Sequence, residues 1–420
     1  MWFYVQRILI PHERSDAAFH GTPRGNLSDL YPRWLGAREL LLHHRNPYGA
    51  DVTREIQAGY YGRPIDPARP ADPRDEQRFA YPVYVVFLLA PTVYLPFPLV
   101  ATAFRWLLLS LTAAGVLLWL RTLRWKLPCS AIAALLLLTL GSFPTIQGFK
   151  LQQLSLLSAF LIAAAVASMA SEHSVAAGIL LALAMIKPQL VFLLIPWLLL
   201  WTISDWRRRR RLAFSFAAAM LLLEVASELV LPGWIWQFRA AMSDYYRYTG
   251  GGLSLLDVLT GPIVGKAVAV VLIAILIALA IRSRHADASH TSFLSTLAAL
   301  LAVTVVVAPT FAPYNQLLLV PAVLILVRDR HVFVSETPLL KLTIAVLVVI
   351  LAWPWIAACS LLLAAIVKPS AALQNFWAIP LYTSLATPFA ILLLLFLRIR
   401  YLRRVNTVAV GQDLDPRRLP

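Results

Sequence analysis

The stretch VATAFRWLLLSLTAAGVLLWLRTLRWK, Val100–Lys126, decides the fold class. Val100–Leu120 is almost wholly apolar. As a helix it is long enough to cross a hydrocarbon layer of roughly 30 Å. Arg121, Arg124 and Lys126 follow at once. The same grammar recurs along the chain. Further apolar runs are Leu151–Ala170, Leu212–Leu231 and Ala267–Ile281, and further basic clusters are Arg207–Arg211, Arg282 and Arg284, Arg328 and Arg330, and Arg398–Arg404. Of the 420 residues, 60% are hydrophobic and only 14% charged, against about a quarter charged in soluble domains. The chain reads as an all-α polytopic membrane protein, one integral domain over residues 1–420 with about 11 crossings.

The formal net charge of +16 would suggest nucleic acid in a soluble protein. Here the basic residues sit in short loops between apolar runs, which is the positive-inside pattern, and no RNA-binding motif accompanies them. The basic loops and the tail 398–420 are expected to be cytoplasmic, in a plasma or inner cell membrane. Leu212–Leu231 then runs outward, and Pro232–Lys266 is a second external segment. Ala267–Ile281 returns, Phe293–Ala308 leads out to the turn Ala312–Gln316, and Leu317–Val327 comes back. Leu339–Ile356 and Trp377–Leu397 form the last pair. Tyr81–Leu95 and Val175–Trp201 read either as short crossings or as re-entrant hairpins, because Pro96, Pro98 and Pro188 would break them. Residues 11–79 form the largest external loop. The opening MWFYVQRILI is apolar for only ten residues, too few to span, and reads as the end of a helix whose start is missing. Cys129 and Cys359 read as buried small hydrophobes, without a disulfide or zinc spacing.

The first loop contains GNLSDLYPRWLGARELLLHHRNPYG, Gly25–Gly49. Leu30, Trp34, Ala37 and Leu41 fall on one helical stripe, with Ser28 or Asp29 at the cap and Pro32 in the first turn. Such an amphipathic helix is expected to lie in the membrane interface. Asp29 is then either a helix cap or an ionised carboxylate available as a base. Lys187 lies between apolar stretches, where a cation is costly; it either binds an anion or snorkels to the interface. Arg33, Arg38 and Arg239 are further cations. Glu224 and Glu228, at i and i+4, share a helix face and either touch a substrate or Lys187 or reach water. Trp234, Trp236, Tyr245, Tyr246 and Tyr248 fit an aromatic belt or a sugar-stacking platform. His43 and His44 are adjacent and do not make an i, i+4 metal pair. Gly250–Gly252 follows no strand and reads as a hinge.

Several motifs in order resemble a known family. Ser28-Asp29-Leu30-Tyr31 and Asn46-Pro47-Tyr48 bracket the first loop's helix. Phe79-Ala80-Tyr81-Pro82 follows. Ala177-Gly178-Ile179 leads to Met185-Ile186-Lys187-Pro188-Gln189. Ala308-Pro309 precedes Tyr314-Asn315-Gln316-Leu317 and Pro321. Over roughly residues 20–330 the chain resembles glycosyltransferase family eighty-seven of the GT-C membrane glycosyltransferases. Gln152-Gln153 stands where the family often has Gly-Gln, and Tyr314-Asn315-Gln316 where active relatives often carry a histidine. The resemblance implies a GT-C-type helical bundle that moves a hexose, mannose in the family, from a polyprenyl-phosphate sugar to a glycan or glycolipid acceptor on the external face. It implies inversion with Asp29 as base, and a substrate site drawn from Tyr31, Arg33, Tyr81, Gln153, Lys187, Glu224, Glu228, Tyr314, Asn315 and Gln316. No metal or other cofactor is implied. A transporter or flippase of a lipid-linked sugar is the competing reading. Paired carboxylates and an intramembrane lysine suit it, but no inverted repeat supports it.

Overall fold

The computed structural model describes the chain outside residues 23–27, 67, 250–251, 310, 334–336, 368–372, 374 and 414–420. Gly25–Leu27 of the first loop, Gly250 and Gly251 of the glycine run and the end of the tail therefore lie outside the described residues. The described residues are helical, without a strand. Five helices are long and apolar enough to cross a membrane: Phe97–Thr122, Trp206–Val230, Pro262–Ser283, Pro338–Val367 and Ile379–Leu402. A sixth span is possible if Cys129–Leu140 and Phe143–Lys150, bent by 56° at Gly141-Ser142, count as one. The chain is therefore read as a multi-pass membrane protein. Among the described residues, five helices, or six with the bent pair, are spans by length and composition alone, fewer than the eleven crossings expected. Five more apolar helices have only 10–17 residues: proline and polar breaks shorten them below the length of a spanning helix.

The first loop is more structured than a surface strap. The N-terminal apolar run continues as helix to Phe19, and the Tyr4 hydroxyl donates to the Trp377 carbonyl near the other end of the chain. The helices Leu30–His43 and Ala50–Tyr61 follow. In the first of these, Leu30, Trp34, Ala37 and Leu40 are buried while Leu41 is half-buried. The stripe therefore ends one residue earlier than its spacing suggested. It packs on the protein core beside the short helix Val85–Leu89 rather than facing lipid.

Pro96 and Pro98 do not break a crossing; they start one, because proline suits a helix's first turn, and Phe97–Thr122 begins there. Pro188 breaks the chain as anticipated. Ser174–Ala184 ends, Lys187 takes a non-helical conformation, and Leu194–Ser204 resumes. Cys129 and Cys359 are exposed on the outside of the bundle, contrary to the burial expected from their apolar neighbours; on a membrane-spanning bundle the outside is itself apolar.

The two ends of the bundle differ. Phe97, at the start of its 26-residue helix, packs on Tyr31 at 4.9 Å between ring centres. Just past its far end, about 39 Å away, the Leu123 carbonyl accepts from Arg328. Arg328 pairs with Asp329, which also holds the fully buried Arg398. In the same way Arg209, at the start of Trp206–Val230, donates to the carbonyls of Arg284 and Ala286. Arg208 bridges Glu172 and Asp287.

Candidate active site

The site is assembled from breaks in helices. Between the helices Phe143–Lys150 and Leu154–Ala170 the chain turns sharply, with Gln152 in the left-handed region at φ 46°. The turn leaves the Leu151 carbonyl outside the helical ladder. There it accepts from the Asp29 backbone N–H at 3.1 Å and from the Ser28 hydroxyl at 3.3 Å. Ser28 Oγ in turn accepts from the Leu30 N–H at 3.1 Å. Ser28 thus does local capping work, while the Asp29 side chain makes no cap hydrogen bond. Of the two readings of Asp29, the cap is not realised.

The Asp29 carboxylate instead accepts from Gln153 Nε2. Gln153 Oε1 accepts from Lys187 Nζ at 2.8 Å. Lys187 also donates to Ser155 Oγ at 2.7 Å, and Ser155 donates to Asn315 Oδ1 at 2.8 Å. The orientation of the Gln153 amide follows from its neighbours, since a flipped amide would set oxygen against carboxylate and NH2 against ammonium. Lys187 is 4% exposed. Its Nζ lies 5.0 Å from the Tyr314 ring centre and 5.9 Å from that of Tyr81. Two of its three N–H donors are used, leaving one for a ligand. The residue before a proline is biased away from the helical region, so Pro188 itself sets the backbone from which Lys187 projects.

Arg33 stacks over Tyr81 at 4.1 Å, and its Nε and Nη1 are buried without a hydrogen-bond partner. Each unmade hydrogen bond of that kind costs about 1–3 kcal/mol, a cost that an incoming anion would remove. No carboxylate is ion-paired with Arg33 or Lys187 among the described residues. Tyr81 is fixed by the turn Asn46-Pro47-Tyr48: the Tyr48 hydroxyl donates to the Tyr81 carbonyl at 2.5 Å, and its ring meets Phe79 edge-on at 5.3 Å.

These groups line one cavity of about 440 Å³. Asp29, Arg33, Tyr81, Gln153, Lys187, Tyr314 and Asn315, all singled out in the sequence, share it. Four others do not. Tyr31 packs against Trp34 and Phe97, and its hydroxyl occupies the space a Cβ on Gly59 would need, so it locks two loop helices together. Gln316 turns the other way and donates to the Ser384 carbonyl at 3.1 Å. Glu228 accepts from the Gly233 N–H at 2.7 Å and closes the end of its own helix. Glu224, one turn earlier, is likewise absent from the cavity wall, and its Oε2 is buried without a partner.

The structure adds residues that sequence reasoning passed over. Ser155 carries the network to Asn315; its position two residues after Gln153, in the first turn of a helix, was the only signal. Asp75, Gln77 and Arg78 also line the cavity. They lie in the polar stretch before Phe79-Ala80-Tyr81-Pro82, which looked like ordinary loop. Asp75 lines the cavity, and loss of solvent there pushes its carboxyl up to about 6. The nearby Asp29 charge adds to this, while hydrogen bonds from the Gln77 backbone and side chain and the Arg33 charge oppose it.

Taken chemically, the cavity joins a carboxylate to an ammonium through one amide, with a second, unpaired cation alongside. Such a site can take a proton at one end and hold developing negative charge at the other. The family described as glycosyltransferase family 87 matches residues 79–309, more than half of the chain. No curated protein matches.

Proposed function

Because this chain belongs to glycosyltransferase family 87, and is thus a membrane glycosyltransferase, we propose that it moves a hexose, mannose by resemblance, from a polyprenyl-phosphate sugar to a glycan or glycolipid acceptor, with Asp29 as general base. The observation that carries this reading is the chain Asp29–Gln153–Lys187 in a shared cavity with Arg33. The acceptor hydroxyl oxygen attacks the anomeric carbon. Its proton passes to the Asp29 carboxylate as the new bond forms. The anomeric carbon–oxygen bond to phosphate breaks, and the polyprenyl phosphate departs with the bonding pair. Attack opposite the leaving group inverts the anomeric centre. Phosphate is a good leaving group and requires no strong acid. It requires positive charge fixed where negative charge grows, a role that Lys187 and Arg33 fill. Gln153 positions both ends. It holds Asp29 and Lys187 apart, so neither neutralises the other in a direct ion pair.

The orientation follows from charge. Arg121–Lys126, Arg207–Arg211, Arg282–Arg284, Arg328 and Arg398 lie at the end of the bundle away from the cavity. By the positive-inside rule that end is cytoplasmic, and the cavity opens on the external face of the cell membrane. Some of the shorter apolar helices would complete further crossings in pairs.

The donor class is tested with membranes that contain the full chain. Labelled polyprenyl-phosphate mannose and a labelled nucleotide-mannose are supplied separately, the latter with lipid-linked sugar synthesis blocked. Label is expected to reach an acceptor from the lipid-linked donor alone. Transfer from the nucleotide sugar under that block would reject the donor class.

A further inference from the structure

The cavity has two chemically distinct walls. One carries Arg33 and Lys187. The other is built by Asp75 and Gln77, from the loop before Phe79, and by the tyrosines of the helix Trp234–Tyr248. We infer that this second wall is a saccharide subsite that holds the acceptor: Asp75 accepts from sugar hydroxyls, and Tyr245, Tyr246 and Tyr248 present rings to the C–H face of a sugar. The inference rests on the glycosyltransferase reading only in calling the saccharide an acceptor.

The wall is held in place from both sides. Arg78 forms an ion pair with Asp244 at 2.8 Å and so ties the loop to the helix. Tyr245 meets Tyr248 edge-on at 5.4 Å. The Tyr246 ring lies where a Cβ on Gly252 would stand, and Gly252 is left-handed at φ 67°. Gln77 also sits in the left-handed region, at φ 46°, which a residue with a side chain adopts at a cost. In that conformation its N–H and Nε2 both donate to Asp75, at 3.1 and 2.7 Å. A carboxylate has about four acceptor positions, so two remain for a ligand.

The charge balance selects the ligand class. Arg78 is engaged by Glu76 and Asp244, so it offers little attraction to a free anion. Asp75 adds negative charge to this part of the lining and repels phosphate, for which Arg33 and Lys187 supply the cations of the cavity. Carboxylates and aromatic rings side by side suit a neutral molecule with many hydroxyls and an apolar face. An aromatic pair placed for packing alone would not need a carboxylate oriented by a strained neighbour.

The test measures binding, not turnover. The full chain in lipid nanodiscs, with polyprenyl phosphate added, is titrated with mannotriose, maltotriose and cellotriose by saturation-transfer NMR. At least one trisaccharide is expected to bind. Asp75→Asn and Tyr245→Leu are each expected to weaken it tenfold or more, while Glu228→Gln, outside the cavity, binds within twofold of wild type. Two independent variants are used so that misfolding of one, seen by size exclusion, leaves the other to decide. Absence of binding by all three sugars overturns the inference, as does wild-type affinity in Asp75→Asn and Tyr245→Leu. If trisaccharides bind with this mutational pattern but no sugar is ever transferred, the saccharide subsite stands and the transferase reading falls. If transfer occurs and no trisaccharide binds, the reverse holds.

Discussion

At the scale of single residues, Lys187 and the two glutamates of the Trp206–Val230 helix looked alike in the sequence: ionisable groups among apolar neighbours. The structure separates them by what they touch. Lys187 keeps one unused donor in the cavity, whereas Glu228 is occupied by the backbone of its own helix end. Lys187→Met is therefore expected to lower kcat by about 10²–10³, the size of effect seen when one preorganised donor is removed from developing charge. Glu228→Gln is expected to leave transfer within twofold. Steady-state kinetics on protein-matched membranes checks both. A large loss in Glu228→Gln would return that residue to the substrate site. The titration of Asp75 gives a second residue-scale expectation. With its carboxyl pushed up to about 6, Asp75 is charged above that pH and neutral below it. The KM for acceptor should rise as pH falls through about 6, and this rise should vanish in Asp75→Asn. A KM flat across that range in wild type would separate Asp75 from acceptor binding. The order of short motifs singled out Asp29, Lys187 and Gln153, which the structure brings into one cavity. Asp75 was not singled out, because nothing local in the sequence distinguishes a cavity-lining carboxylate in a polar loop from a solvated one.

At the scale of elements, the site depends on where helices stop. Pro188 ends one helix and presents Lys187; Gln152 bends another and exposes the Leu151 carbonyl to Asp29. Pro188→Ala restores the missing N–H and relaxes the restriction on Lys187. It is expected to cost at least tenfold in kcat with little loss of thermal stability, measured on the purified protein. A loss of stability with unchanged kcat would mean the break serves packing only. The buried pair of Arg398 and Asp329 behaves differently. Arg398 is fully buried, and removing one partner of such a pair costs about 3–5 kcal/mol. Asp329→Asn should destabilise accordingly, against roughly 0–1 kcal/mol for Glu172→Gln, whose partner Arg208 is exposed. Denaturation of the detergent-solubilised protein tests this, and equal effects would contradict it. The apolar runs made most helices legible, and Pro188 marked a break, whereas Pro96 and Pro98 marked a start rather than an end. The positions of the breaks that matter could not be read, because Gln152 in a left-handed conformation has no sequence signature comparable to glycine's.

At the scale of the whole molecule, the separation of the cavity from the basic loops supports the proposed topology, which can be checked directly. With Cys129 and Cys359 replaced by serine, a cysteine placed at Gln77 should react with an impermeant maleimide in intact cells. One placed at His285 should react only after permeabilisation. The reverse pattern would invert the orientation. The membrane class and the asymmetry of charge were legible because hydropathy and the positions of arginine are one-dimensional signals. The number of crossings was not, since helices of 10–17 residues can cross, re-enter or lie within the bundle with the same composition. Everything in the functional account meets at Asp29, which the structure frees from capping and ties to Lys187 through Gln153. The most direct test compares purified wild type with Asp29→Asn for transfer of labelled mannose from polyprenyl-phosphate mannose, with donor binding measured in parallel. The expected result is a fall in kcat of about 10³, within the range for loss of a general base, with donor affinity kept within threefold. Retention of most of the wild-type rate by Asp29→Asn would contradict the assignment of the base, and with it the mechanism built on this cavity.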